Sequence, residues 1–143
     1  MEKFYSKKEE GKLLHTIHRL DDVVSRDTQR EDLVDSKEFI QCSSLKMKKG
    51  TTFRPHKHIW KEPEGEIIAQ ESWMVVRGSV KCFFYDLDDT IIATPTLYMG
   101  DASFTFEGGH TYEILEDDTI VYEYKTGPYK GQEFDKTFID ETK

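Results

Sequence analysis

The chain has 143 residues, of which 34% are charged and 13% aromatic, and its formal net charge is −8. This length suits one domain around one core. The acidic balance excludes a surface built for nucleic acid or an anionic membrane, where Lys and Arg would have to cluster, and no apolar run approaches transmembrane length.

Residues 1–11 are polar, end at Gly11 and lack the apolar stretch of a secretory signal. They read as a flexible N-terminal tail on a cytoplasmic chain. Residues 12–20 read as a strand, with His15 and His18 as surface or edge histidines. Residues 21–37 hold Asp21, Asp22, Arg26, Asp27, Arg30, Glu31, Asp32 and Asp35. That charge run reads as a solvated loop with at most one helical turn. Residues 39–47 form a second strand candidate, and Gly50 turns the chain into the stretch that carries His56 and His58.

A connecting loop follows, with Pro63 and Gly65 marking its turn and Trp60, Ile67 and Ile68 anchoring its flanks. Such a loop, starting at a histidine pair, can form one wall of a pocket. Glu71 then opens an apolar run through Trp73, Val75 and Val76 that Gly78 closes. Short strands follow at residues 80–86, 91–97, 102–106, 110–115 and 119–125, separated by turn residues. Closely spaced short strands indicate an all-β sandwich or small barrel. Cys42 and Cys82 sit in strand-like segments and read as buried free thiols. The reading is therefore a single domain over residues 12–131. Residues 132–143 form a C-terminal tail whose Phe134, Phe138 and Ile139 are available to dock on the barrel.

Side chains alternate across a strand, so His56 and His58 point to one side of an extended chain. With Glu71 on a neighbouring strand they make three ligands for a divalent transition metal. His110, delivered by the Gly108-Gly109 pair, is a fourth candidate. The loop acids Glu62, Glu64 and Glu66 compete with Glu71 for the carboxylate position. Strand parity puts Trp73 with Glu71, Tyr112 with His110, and Arg54 with His56. Arg54 can hold a carboxylate or phosphate as a fork or form a surface ion pair. Tyr112 is either core packing or a catalytic acid.

The run Gly50, His56, His58, Glu71, Gly78 resembles the first motif of the cupins, with a longer gap between His58 and Glu71. Gly100 through Gly108-Gly109-His110 resembles the second. The resemblance spans about residues 39–125. It implies an antiparallel double-stranded β-helix, a jelly-roll barrel, with His56, His58, Glu71 and His110 as ligands of one divalent transition metal: Zn, Fe, Mn or Ni. Residues 116–131, followed by Asp135-Lys136, are similar to small bacterial cupins whose genes accompany surface-polysaccharide or nucleotide-sugar genes. Lys125 and Tyr129 become catalytic candidates beside Tyr112 through that resemblance alone.

The function expected is binding of, or action on, a small polar metabolite, most simply a sugar derivative, with isomerase or epimerase chemistry at the metal. The alternatives are a non-catalytic sugar-binding module, an iron-dependent dioxygenase, or a metal-free isomerase using His and Tyr. Arg54, Trp60 and Trp73 are the expected substrate contacts. The resemblance further implies a homodimer, with residues 12–20 at the contact.

Overall fold

The structure is a computed structural model and describes residues 1–61 and 67–140. In chain order it contains β1 (Glu2–Tyr5), β2 (Leu13–Ile17), α1 (Leu20–Ser25), β3 (Arg30–Asp32), β4 (Ile40–Met47), β5 (His56–His58) and β6 (Glu71–Arg77). It continues with β7 (Ser79–Tyr85), β8 (Ile91–Ala93), β9 (Thr96–Tyr98), β10 (Ala102–Thr105), β11 (Gly109–Ile114) and β12 (Thr119–Thr126). A single 3₁₀ turn at Gln132–Phe134 leads into β13 (Lys136–Phe138).

Two antiparallel sheets face each other and close into the expected jelly-roll barrel. One runs β10-β6-β12-β4-β3 and the other β13-β5-β11-β7-β8, with β9 also on β7. Gly78 carries the chain from the first sheet to the second at φ 82°. A Cβ there would strike the Thr119 side chain, so the corner admits no larger residue without movement.

The barrel interior is graded along each strand. Leu45, Met47, Trp73, Val75, Val80, Cys82, Tyr112, Ile114 and Val121 form the buried apolar cluster. The inward row of β6 runs Val75, Trp73, Glu71, and that of β11 runs Ile114, Tyr112, His110. On β12 it runs Val121, Glu123, Lys125, and on β4 Leu45, Ser43, Gln41. Each row passes from aliphatic to polar within two inward positions, so the core fills one end of the barrel and polar side chains line the other.

Three segments differ from the sequence reading. Residues 30–32 are a strand on β4 despite their charge. Arg30 bonds both oxygens of Glu123, 93 residues away, which supplies the partner that a local reading could not see. The expected strand 91–97 divides into β8 and β9 around Thr94-Pro95, where proline has no N–H to continue a ladder and its carbonyl instead accepts from Cys82 N–H at 2.8 Å. Within residues 1–11, Glu2–Tyr5 pairs with Leu13–Ile17 as a two-stranded hairpin. Cys82 is buried, Cys42 is half-buried, and both are free thiols.

The C-terminal segment completes the second sheet. β13 pairs with β5, setting Lys136 opposite His58 and Phe138 opposite His56. Ile59 N–H donates to the Asp135 carbonyl at 3.1 Å and Ile139 N–H to that of Pro55 at 2.9 Å. Ile139 is buried, Phe138 is half-buried, and Phe134 is exposed.

Candidate metal centre

His56 and His58 stand on β5, Glu71 opens β6, and His110 is the second residue of β11, paired directly with His56. Gly109 makes that pairing close: a Cβ there would strike the Ile139 side chain and lie 3.1 Å from Tyr85 Cβ. All four side chains are buried, and one ligand atom from each lies within 4.8 Å of the others. The competing loop acids Glu62, Glu64 and Glu66 lie outside the described residues.

Hydrogen bonds fix which nitrogens face the centre. His56 Nδ1 donates to the Arg54 carbonyl at 3.2 Å and His58 Nδ1 to the Asp135 carbonyl at 3.2 Å. A carbonyl only accepts, so each Nδ1 keeps its proton and Nε2 is the nitrogen of each ring turned to the centre, where a metal would bind it in its unprotonated form. His58 Nε2 lies 3.2 Å from Glu71 Oε2, and His110 Nε2 lies 3.2 Å from Glu71 Oε1. Glu71 Oε1 also accepts from Trp73 Nε1 at 3.0 Å, and the same indole N–H reaches Glu123 Oε2 at 3.3 Å.

The group fits a divalent transition metal. His56 Nε2 and His110 Nδ1 are buried without a hydrogen-bond partner among the described residues. Buried nitrogens left without partners are costly unless something binds them. Three imidazoles and one carboxylate are the donor set that zinc, iron, manganese and nickel accept.

Without a metal, the two β5 histidines differ in charge. Burial and the neighbouring His110 push the His56 pKa down to about 3, keeping the ring neutral. Burial opposes protonation of His58 too, but Asp135 and Glu71 outweigh it and raise its pKa to about 9. Burial would raise Glu71, yet His110 and His58 hold it well below the usual carboxylate range. Asp135, absent from the candidates read from sequence, has its carboxylate 3.4 Å from His58 Nδ1, 3.2 Å from Lys125 Nζ and 3.3 Å from Lys61 Nζ. It is the outer carboxylate behind a ligating imidazole. Nothing short of the β5–β13 pairing could have revealed it, since it lies 77 residues from His58.

The centre opens onto a cavity of about 360 Å³. Of the expected substrate contacts, Arg54 and Trp73 line it. Trp60 does not: it is 49% exposed, and with Lys57, Ile59 and Leu87 it borders a different depression. Arg54 is open to solvent, lies over the Phe138 ring at 4.2 Å and faces Asp140 at 3.8 Å. The catalytic candidates Tyr112, Lys125 and Tyr129 all line the cavity. Tyr112 stacks on Trp73 at 3.9 Å and its hydroxyl meets Ser103 Oγ at 3.2 Å. Burial, then the charge of Glu71, pushes the Tyr112 pKa well up. Lys125 Nζ sits 4.2 Å over the Tyr129 ring.

Neither a family model nor a curated protein matches the chain. Solved structures do. The capsular polysaccharide assembling protein CapF from Staphylococcus aureus superposes with a TM-score of 0.65 at 18% identity, over 81% of this chain and 33% of that one. A Klebsiella pneumoniae protein with a double-stranded β-helix domain superposes with a TM-score of 0.62 at 13% identity, over 90% of this chain and 100% of that one. KdgF from Halomonas sp. gives a TM-score of 0.54 at 18% identity, over 71% of this chain and 80% of that one. This chain spans about a third of CapF. At these identities the likeness establishes the fold alone, a double-stranded β-helix, in which the buried three-histidine, one-glutamate group could hold a metal.

Proposed function

We propose that the chain is a metal-dependent cupin that holds a small polar metabolite, a sugar derivative, in its cavity and promotes its isomerisation or epimerisation. The observation that carries this reading is the convergence of three imidazoles and one carboxylate, all buried, with ligand atoms within 4.8 Å of one another. A divalent metal on His56, His58, Glu71 and His110 would supply a Lewis acid that polarises a carbonyl beside a hydroxyl. Trp73 anchors Glu71 through its indole N–H and, stacked with Tyr112, gives a ring-sized wall. Tyr112, kept protonated by burial, suits a proton donor and not a base. The likeness to CapF, a capsular polysaccharide assembling protein, agrees with a sugar derivative as ligand.

A second reading, a sugar-binding module without catalysis, is favoured by the state of the acid–base candidates. Tyr112 keeps its proton and Lys125 is engaged by Asp135, so neither presents a free base. Elemental analysis of protein purified without added metal comes first, and stoichiometric metal is expected. Turnover and thermal shift on a panel of sugar phosphates and nucleotide sugars then separate the two readings. Turnover establishes the enzyme, and a thermal shift without turnover establishes the binding module. Protein that takes up no metal removes both.

The exposed apolar residues Leu13, Leu14 and Ile17 support residues 12–20 as a contact between two copies. Sedimentation of the chain is expected to show a dimer that Leu14→Asp dissociates.

A further inference from the structure

We infer that Lys136 selects an acidic ligand: its ammonium receives a carboxylate or phosphate oxygen of a molecule whose other oxygens sit at the His56, His58, Glu71 and His110 group. This deepens the function proposed above and rests on it.

The placement of Lys136 follows from strand register. Residues directly opposite on neighbouring strands point to the same side of a sheet. Lys136 stands opposite His58 and Phe138 opposite His56, so both share the inner face with the two histidines. Thr137 between them is exposed, whereas Lys136 and Phe138 are half-buried, as that alternation requires. Both line the cavity.

The charges on the cavity wall single this lysine out. Arg30, Arg54, Lys125 and Lys136 are its cations. Arg30 is bonded by Glu123 and Asp32, Lys125 by Asp135, and Arg54 lies against Phe138 and Asp140. Lys136 alone has neither a hydrogen bond nor an ion pair among the described residues. A half-buried ammonium without a direct partner is uncommon, because burial costs it hydration. Burial pushes its pKa down; the charge of Glu71 opposes this, Lys125 adds to it, and Glu123 and Asp135 oppose it more weakly. An anion entering the cavity supplies the missing partner.

The charge balance at the centre points the same way. A divalent ion held by three neutral imidazoles and one carboxylate keeps one net positive charge, and Lys136 adds a second facing the same space. A neutral sugar would leave both uncompensated, while a carboxylate or phosphate meets them. The aromatic walls Phe53, Trp73 and Phe138 fit the apolar face of a ring. The class of ligand is thus a sugar acid or sugar phosphate.

Calorimetric titration of the metal-loaded full chain tests this, with galacturonate, a galactose phosphate and galactose as probes. The two acids distinguish carboxylate from phosphate, and galactose is the neutral control. At least one acid is expected to bind about tenfold or more tightly than galactose, as a charge-assisted hydrogen bond implies. Lys136→Met should weaken that acid about ten- to hundredfold while leaving galactose affinity and metal content unchanged. Lys136→Arg, which keeps the charge, should restore most of the loss. Binding of neither acid, equal binding of acid and galactose, or equal weakening of both by Lys136→Met overturns the inference. Wild-type protein without metal overturns the function proposed above, whereas metal-loaded protein indifferent to ligand charge overturns this inference alone.

Discussion

At one end of the barrel Val75, Ile114, Val121 and Leu45 pack against one another. Four residues along the same four strands stand Glu71, His110, Lys125 and Gln41. The two layers are separated by about 13 Å of strand and share the same backbone ladders. The aliphatic layer meets its needs by contact alone. The polar layer depends on distant partners: Glu123 on Arg30 and His58 on Asp135, while His56 Nε2 and His110 Nδ1 find no hydrogen-bond partner among the described residues. A strand pair can therefore carry stability at one end and a binding site at the other, with Trp73 and Tyr112 as the seam.

The sharpest break in this division comes from replacing His56 and His58 together by alanine. Elemental analysis should then find no metal, with the cooperative unfolding transition preserved, because the aliphatic layer is untouched. A variant that fails to fold would show the centre to be structural. The converse is Ile114→Ala, which should cost about 2–5 kcal/mol in denaturant unfolding and leave metal stoichiometry intact. Asp135→Asn probes the boundary between site and scaffold. Loss of an outer-shell partner typically weakens metal binding about 10- to 100-fold, readable by chelator competition, with Lys61 and Lys125 losing a partner as well.

A pH dependence is expected in metal-free protein. The folded pKa of His58 is raised from 6.5 to about 9, so its stabilisation is complete below pH 6.5 and is lost as pH rises towards 9. His56, lowered to about 3, acts oppositely: it destabilises the folded chain as pH falls from 6.5 towards 3. The melting temperature of metal-free protein should thus peak near neutrality. His58→Ala should flatten the alkaline limb alone, and an unchanged limb would show that His58 is not the group responsible.

The polar end was legible in sequence wherever short-range rules decide the outcome. Two-residue alternation places His56 with His58, and a glycine pair delivers His110. It was illegible wherever pairing spans the chain. Arg30 and Asp32 looked like solvated charges because their partners, Glu123 and Ser43, lie on other strands. Asp135 and Lys136 looked like tail residues because only the ladder between β5 and β13 turns them inward. Trp60, two residues beyond His58, was read as a pocket wall; it lies outside the lining of the main cavity and, with Ile59, Ile68 and Leu87, borders a second depression on the other side of His58.

β5 has three residues, carries two of the four metal donors, and is held on one side by an edge strand of equal length. Edge segments open at lower free energy than central ones. Linkage would then make the dependence mutual: a metal on the donors would protect residues 136–138 from opening, and any agent that peels those residues away would loosen that metal by the same factor. β13 would thereby act as a latch, and its detachment would be a route by which a bound metal leaves.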